Sequence, residues 1–154
     1  MHPGSMNLMA RFRDSYLSEM KGCSILDVGC RVVKHTQQSY RELFEDYDYI
    51  GMDIEGGDNV DLIGYDDLTR YDVVISGQTM EHVLHPWDWL KDLNRHFKHY
   101  ICIIAPNKHP EHLWPVDTYR YFPDGMRDLF DFASIKELEI YRKGDDTIGI
   151  GSHF

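Results

Sequence analysis

Two short apolar runs, each holding an acidic residue, constrain the fold of this chain most strongly. Residues 25–28 contain Asp27 and precede Gly29, and residues 49–54 contain Asp53. Such runs are typical of neighbouring parallel strands that are buried on both faces. Glycine lets the backbone approach a ligand, and a carboxylate after the next strand can accept both ribose hydroxyls. The pair therefore predicts a site for an adenosine-containing cofactor at two strand ends.

The rest of the chain continues an alternation of strands and helices. Asn7 is predicted to cap the first helix and Gly22 to close it, while Trp87 and Phe97 are expected on the buried face of a later helix. Alternation that ends in a hairpin predicts an α/β fold with an open, doubly wound, mostly parallel sheet. The predicted helices are 7–21, 37–46, and those opened by Pro86 and Pro123; the predicted strands are 24–28, 49–54, 60–63, 71–76, 100–104, 137–142 and 147–150.

Length, charge and cysteine content narrow the class of protein. A chain of 154 residues with 42% hydrophobic content fits a single domain with a packed core. Its formal net charge of -10 argues against nucleic-acid or anionic-membrane partners, since these need Lys and Arg. No apolar run approaches the ~20 residues that span a bilayer. The cysteines lack metal-like spacing, so we expect reduced thiols and a cytoplasmic protein.

The first residues lack both the basic start and the apolar stretch of a secretory signal, and a second methionine stands at position 6. We therefore expect residues 1–6 to be a remnant of cloning. Residues 7–154 are expected to form the domain.

Ligands of sheets of this kind bind beyond the carboxyl ends of the strands, where the strand order reverses. Residues 108–122 have no helical or strand period, so this stretch is interpreted as a long functional loop. The positions predicted at strand ends, or in the loops after them, are 27–31, 53, 66, 76–82 and 106–120.

Several strings resemble the class I S-adenosylmethionine-dependent methyltransferases, and more closely the small methyltransferase-domain proteins related to the ubiquinone-biosynthesis group. The resemblance covers most of the chain from Ser24 to Leu129. It implies a single Rossmann-like domain in the methyltransferase strand order, with the last strand antiparallel and S-adenosylmethionine as the cofactor. The strings are ILDVGC, SYRELF, YIGMDIEGGDNVDLI, YDVVISGQTMEHVLHPWDWLKDL and IIAPNKHPEHLWPVDTYRYFPDGMRDL.

Carried over by position, the resemblance assigns the cofactor contacts. Asp27 and Gly29 would border the methionine part, Asp53 would bind the ribose hydroxyls, and Ile54 would cover one face of the adenine. The remaining implied contacts are Asp66 or Asp67 at the adenine amino group, Ser76, Gly77 and Gln78 beneath the sulfonium, and Glu81 and His82 at the rim.

The loop after the first strand departs from the family pattern. Where the family has further glycines, this chain has Arg31, Val32 and Val33, whose side chains would crowd a ligand. This keeps open an alternative function, a degenerate, non-catalytic methyltransferase fold that binds a nucleoside weakly or serves as an interaction module. A nicotinamide-dependent oxidoreductase is disfavoured because no Gly-x-Gly-x-x-Gly follows the first strand.

Candidate catalytic side chains lie after the fourth strand, at His82, and in the long loop, at His112, Asp117 and Arg120. Histidine titrates near neutral pH, so His82, or His112 paired with Asp117, could act as a general base. Arg120 could grip a carboxylate or phosphate of the acceptor. The structural alternatives are that Glu81 caps the next helix and that Arg120 forms a local ion pair with Asp117.

The other histidines show no metal-ligand spacing, so no metal is predicted. The sequence thus predicts an enzyme that transfers a methyl group from S-adenosylmethionine to a small-molecule or glycan-like acceptor. The acceptor atom and the oligomeric state are left open. The histidines concerned are His85, His96, His99 and His109.

Overall fold

A seven-stranded sheet organises the chain, and the computed structural model describes residues 1–34, 37–64 and 68–153. None of the helices in these ranges is long and apolar enough to cross a bilayer. The strands are β1 Ser24–Val28, β2 Asp48–Asp53, β3 Leu62–Ile63, β4 Tyr71–Gly77, β5 Phe97–Pro106, β6 Lys136–Lys143 and β7 Asp146–Ser152. The helices are α1 Pro3–Tyr16, α2 Pro86–Leu93 and α3 Pro123–Phe132, with 3-10 helices at Tyr40–Leu43 and Met80–His82.

The strand order is β3-β2-β1-β4-β5-β7-β6. Strands β1 to β5 pair in parallel, whereas β7 runs antiparallel to both of its neighbours. The order reverses between β1 and β4, so the crevice expected to bind a ligand lies beyond the carboxyl ends of these two strands. The predicted Rossmann-like, mostly parallel sheet with an antiparallel last strand is confirmed.

The sheet carries a core on each face. Neighbouring residues Ile25 and Leu26 of β1 belong to different apolar clusters, because successive side chains of a strand point to opposite faces. One cluster includes Leu90 of α2 and Phe130 of α3, and the other includes Phe12 of α1. Burial on both faces explains why the strands appear in the sequence as continuous apolar runs.

Helix α1 lies nearer the start of the chain than residues 7–21. It begins at Pro3, the His2 side chain caps it, and it ends at Tyr16, so the predicted capping role of Asn7 is wrong. Gly22, with φ of +79°, lies in the turn before β1 and does not close the helix. Residues 3–6 form the first turn of α1, and their origin in cloning stays a prediction.

The helix predicted over residues 37–46 is reduced to the 3-10 helix Tyr40–Leu43. Ser39 and Glu42 form a capping box at its start, while Tyr40 remains fully buried. Acidic residues at positions 45 and 46 would oppose the negative end of a longer helix. The apolar spacing, which predicts Tyr40, Leu43, Phe44 and Tyr47 on the inner face, is confirmed for the buried Tyr40 and Phe44, whereas Leu43 and Tyr47 are half-buried and the helix is shorter than predicted.

Two aromatic residues near α2 also differ from the prediction. Helix α2 ends at Leu93, so Phe97 opens β5 and is buried there. Trp87 is 38% exposed and makes an edge contact with the ring of Tyr119, with ring centroids 5.8 Å apart. Its predicted place in the core is wrong. The third strand, predicted over residues 60–63, is limited to Leu62–Ile63.

Candidate active site

Asp27 is buried near the end of β1, opposite Gly51 on one side and Ile75 on the other. Its Oδ2 accepts a hydrogen bond from the Tyr49 hydroxyl, and among the described residues its Oδ1 has no partner. Burial raises the pKa of Asp27 to about 7. The open carboxyl oxygen is therefore a candidate acceptor for a ligand donor at the switch point of the sheet.

The side chains of Arg41 and Asn59 stabilise the surroundings of Asp27. The guanidinium of Arg41 lies over the Tyr49 ring, 4.5 Å from its centroid, and its Nε donates to the Asn59 side chain at 2.7 Å. The Asn59 amide donates to the Cys30 carbonyl at 2.9 Å. These contacts tie the 3-10 helix and the loop after β2 to the loop after β1.

Gly29 is required by the loop in which it lies. Its φ of +79° favours glycine, and an added Cβ would collide with the side chain of Thr79, beyond the end of β4. Its N–H donates to the Met52 carbonyl at 2.8 Å. The loop after β1 is thus packed closely between the ends of β2 and β4.

Asp53, at the end of β2, contacts the same loop. Its Oδ2 accepts from the Arg31 N–H and its Oδ1 from the Glu55 N–H, each at 3.3 Å. The Arg31 guanidinium forms an ion pair with Glu55 at 2.5 Å, and Val33 is 41% exposed. A carboxylate has about four acceptor positions, so Asp53 retains acceptor capacity for hydroxyl groups.

Apolar side chains are exposed beyond β2 and at the end of β3. Ile54 is 80% exposed and Ile63 is 71% exposed. Such side chains offer a surface for a flat aromatic ligand. Asp66 and Asp67 lie outside the described residues, and their predicted contact with the adenine amino group stays a prediction.

The residues at the end of β4 have internal partners. The Ser76 hydroxyl donates to the carbonyl at the end of β1 at 2.6 Å, and an added Cβ on Gly77 would collide with the ring of Tyr40. Gln78, with φ of +55°, donates to Asp146 at 2.9 Å. The predicted position of all three beneath a sulfonium stays a prediction.

A carboxylate and two imidazoles meet beside the end of β4. Glu81 is fully buried, and neither of its carboxylate oxygens has a hydrogen-bond partner among the described residues. Its Oε1 lies 3.7 Å from Nε2 of His82 and 3.8 Å from Nε2 of His112. The fold thus brings together two predicted catalytic histidines and a residue that had been assigned to the cofactor.

Burial and two backbone carbonyls influence where protons lie on Glu81, His82 and His112. Burial raises the pKa of Glu81 to about 7 and lowers the pKa of His82. Nδ1 of His82 lies 2.6 Å from the Val116 carbonyl, and Nδ1 of His112 lies 3.1 Å from the Pro110 carbonyl. Because a carbonyl only accepts, each Nδ1 carries a proton, and in the neutral form of either ring the lone pair is on the Nε2 that faces Glu81.

Asp117 and Arg120 form a two-pronged ion pair within the long loop, with N–O distances of 2.6 and 2.7 Å. The Arg120 guanidinium holds the pKa of Asp117 well below its usual range. Arg120 also donates to the carbonyls of His109 and Pro110, and Asp117 accepts from the His112 N–H at 2.7 Å. These contacts favour a local ion pair between Arg120 and Asp117 over the predicted binding of an acceptor carboxylate or phosphate by Arg120.

No protein-family model and no curated protein sequence matches this chain, but solved structures do. Magnesium protoporphyrin IX methyltransferase (ChlM) from Synechocystis PCC 6803, with bound S-adenosylhomocysteine (SAH), is 14% identical with a TM-score of 0.71, over 98% of this chain and 83% of that one. A SAM dependent methyltransferase from Aquifex aeolicus is 16% identical with a TM-score of 0.62, over 100% of both chains. The N-terminal domain of EvdMO1, in the presence of SAH and D-fucose, is 17% identical with a TM-score of 0.61, over 98% of this chain and 83% of that one.

This chain has the class I methyltransferase fold. The strand order and the antiparallel β7 agree with that assignment. At these identities the likeness concerns the fold, and the chemistry has to be inferred from the site itself.

The structure adds two residues to the candidate site, Thr118 and Asn107, that the sequence interpretation did not single out. Thr118 joins the long loop to the Glu81 carbonyl through its N–H, at 2.7 Å, and its hydroxyl, at 2.9 Å. Asn107, directly after β5, is buried, and its side-chain amide has no partner among the described residues. The position of Asn107 after a strand was a usable signal. Thr118 carried none, because its role depends on a contact between distant segments.

Two cavities lie beside α1 and α2. One of about 400 Å³ is lined by charged side chains that include Arg13 and Glu45. Another of about 240 Å³ is lined by Trp87, Tyr119 and Phe122, and also by Arg120, the one predicted site residue that lines either cavity in the described part of the chain. We place the candidate site at the strand ends because the buried carboxyl groups with unpartnered oxygens, Asp27 and Glu81, lie there.

Proposed function

We propose that this protein transfers a methyl group from S-adenosylmethionine (SAM) to a small-molecule or glycan-like acceptor. The observation that carries the proposal is the convergence of Asp27, Gly29 and Asp53 at the switch point of a methyltransferase-fold sheet. Structures of ChlM hold SAM or SAH, which supports the same cofactor here. The D-fucose present with EvdMO1 supports a sugar as one acceptor class.

The residues at the strand ends fit the parts of this cofactor. The unpartnered Oδ1 of Asp27 is suited to an amino group, and the carboxylate of Asp53 is suited to ribose hydroxyls. The exposed side chains of Ile54 and Ile63 are suited to the faces of a purine. These are the contacts through which the chain would hold SAM.

SAM supplies a methyl group that its sulfonium makes electrophilic. The protein then has to align the acceptor atom with that methyl group and to take up the acceptor proton. Nε2 of His82 and Nε2 of His112 lie 3.7 and 3.8 Å from Glu81 at the rim of the strand ends, and each can accept a proton when its ring is neutral with the hydrogen on Nδ1. A hydroxyl hydrogen-bonded to either nitrogen could transfer its proton there.

A binding module without catalysis is the second candidate, and the loop after β1 favours it. Arg31 bridges this loop to Glu55 at 2.5 Å, beyond the ends of β1 and β2. A cofactor has to approach the backbone at this point, where the family has glycines and this chain has Arg31, Val32 and Val33. A nucleoside held weakly, or a partner protein, would tolerate this bridge better than a tightly bound cofactor.

Calorimetric titration with SAM, SAH and NAD separates the candidates. The proposal predicts saturable binding of SAM and SAH and no binding of NAD. Binding of NAD alone would indicate an oxidoreductase, and binding of none of the three would support the interaction module. A labelled methyl group from SAM, followed into pooled hydroxyl-bearing acceptors, then tests turnover.

A further inference from the structure

We propose that Glu81, His82 and His112 bind a divalent first-row transition-metal ion. Their ligand atoms lie within 4.8 Å of one another, and the three side chains come from the end of β4 and from the long loop. One carboxylate with two imidazoles is a donor set used by catalytic zinc and by non-haem iron(II).

The distances are close to those of a metal centre. With metal–ligand bonds of about 2.1 Å, tetrahedral ligand atoms lie about 3.4 Å apart. Oε1 of Glu81 lies 3.7 Å from Nε2 of His82 and 3.8 Å from Nε2 of His112. Movements of a few tenths of an ångström would bring each Nε2 to this distance from Oε1 of Glu81. The ligand atoms of the two imidazoles, which lie within 4.8 Å of each other, would have to approach by up to about 1.4 Å. The rings of the two histidines already meet edge to face, with centroids 4.8 Å apart.

The outer nitrogens of both histidines are fixed in the way that metal ligands require. Nδ1 of His82 donates to the Val116 carbonyl, and Nδ1 of His112 donates to the Pro110 carbonyl. Metal-binding histidines almost always donate their second N–H to such a group, which orients the ring and selects the tautomer. Both Nε2 lone pairs are therefore available on the side that faces Glu81.

The burial of Glu81 supports a cation site independently of the distances between the ligand atoms. Glu81 is fully buried, and both of its carboxylate oxygens lack a hydrogen-bond partner within residues 1–34, 37–64 and 68–153. A buried carboxyl group without partners is costly, and a cation held with two neutral imidazoles would compensate it. Hydrogen bonds from Thr118 to the Glu81 carbonyl keep the long loop, and so His112, against this carboxylate.

Three protein ligands leave coordination positions open, which is typical of a catalytic site. An acceptor hydroxyl at such a position would become more acidic and would release its proton to solvent near neutral pH. With the ion bound, the Nε2 atoms of His82 and His112 are ligands, so ionisation of the metal-bound hydroxyl would replace proton uptake by a histidine. This catalytic role rests on the proposed methyl transfer, whereas binding of the ion does not.

The test uses the full chain, stripped with a chelator, dialysed and titrated with Zn²⁺ by calorimetry. We expect one saturable site, and at least about a tenfold loss of affinity in Glu81→Gln and His112→Ala. His109→Ala is the matched control. His109 belongs to the same loop, and its ring centroid lies 4.9 Å from that of His112, but His109 is not one of the three clustered ligands. The affinity of His109→Ala should therefore stay within about twofold of the wild type.

Visible absorption of bound Co²⁺ provides a second readout, and the band intensity should fall in His112→Ala. His112 is only partly buried, so circular dichroism of this variant should match the wild type even if Glu81→Gln fails to fold. The proposal is overturned if the wild type binds neither Zn²⁺ nor Co²⁺, or if His112→Ala binds them as tightly. SAM titration of the same samples keeps the two proposals apart. Binding of Zn²⁺ without binding of SAM would refute only the methyl-transfer proposal. Binding of SAM without binding of Zn²⁺ would refute only the metal site.

Discussion

Asp27 and Glu81 are acidic side chains that the fold buries with carboxyl oxygens left unpartnered among the described residues. Burial of this kind costs free energy, and it raises the pKa of each group to about 7. Asp27 lies at the end of β1, and Glu81 follows β4 beside the long loop. In the proposed function, Asp27 belongs to the cofactor half of the candidate site and Glu81 to the acceptor half.

The substitution Asp53→Asn is predicted to weaken SAM binding by about 1 to 3 kcal/mol, because a charged acceptor for the ribose hydroxyls is lost. The amide oxygen can still accept from one backbone N–H, so the fold should persist. Calorimetry measures the change. Asp48→Asn is the control, since Asp48 is exposed at the opposite end of β2 and should leave the affinity unchanged. Equal affinities in wild type and Asp53→Asn would remove Asp53 from the site.

The substitution Asp27→Asn tests the raised pKa of the buried carboxyl through the pH dependence of the free energy of unfolding. The folded pKa is raised to about 7, whereas the unfolded value is near 4, so between them the folded state holds a proton that the unfolded chain has lost. The free energy of unfolding contributed by Asp27 therefore falls as the pH rises through this window. The variant lacks this loss, so its stability relative to wild type should increase by about 2 to 3 kcal/mol between about pH 5 and pH 8.

Denaturant unfolding at several pH values measures this difference, and Asp48→Asn should run parallel to wild type. A constant difference between Asp27→Asn and wild type over the same range would show that Asp27 is ionised in the folded state.

The sequence predicted where Asp27 and Asp53 lie but not what they contact. Strand ends can be located from apolar runs, whereas the hydrogen-bond partner of Asp27 depends on the register in which β1 pairs with β2. Asp27 pairs with Gly51, which has no side chain, and Tyr49 lies two positions earlier on the same face of β2. The Tyr49 hydroxyl reaches Asp27, while the Asn59 carbonyl and the Cys30 thiol pack closely against Gly51. The sequence pattern does not carry that information.

At the scale of elements, the crossover between β1 and β2 contains little helix. The 3-10 helix Tyr40–Leu43 covers the sheet with one large side chain, because the ring of Tyr40 lies against the backbone of Gly77 in β4. The Tyr40 hydroxyl is hydrogen-bonded to that of Ser5 in α1. Tyr40 thus connects the crossover, α1 and the end of β4 next to the candidate site.

Gly77→Ala tests this packing. An added methyl group would collide with Tyr40, so we expect a loss of about 1 to 3 kcal/mol in the free energy of unfolding. Gly125→Ala is the control, because no heavy atom lies within 4 Å of the added Cβ and Gly125 lies in helix α3. The control should be neutral or stabilising by up to about 1 kcal/mol. Equal stability of the two variants would mean that Tyr40 does not occupy this position.

Strands were predicted better than helices for a physical reason. A strand buried on both faces needs only an apolar run, and β1 coincides with its predicted range, residues 24–28. Helix ends depend on local caps, and the His2 cap and the Leu17 terminus of α1 carry no strong sequence signal. The weak period of residues 37–46 was overridden by packing against the sheet.

At the scale of the whole molecule, the acceptor half of the site depends on contacts between distant segments. Thr118 and Tyr121 donate to the carbonyls of Glu81 and Met80, and so hold the long loop on the 3-10 helix after β4. This arrangement brings His112 to His82. His82 and His112 could each be proposed from the sequence, but their grouping with Glu81 is visible only in the fold.

A crystal structure of the protein grown with SAH is the most direct measurement. We predict density beyond the carboxyl ends of β1, β2 and β4, with the ribose on Asp53, the amino group near Asp27, and the Arg31–Glu55 pair adjacent to the ligand or separated by it. Density for SAH at any other place would contradict the proposed cofactor site, as would the absence of SAH density at saturating SAH.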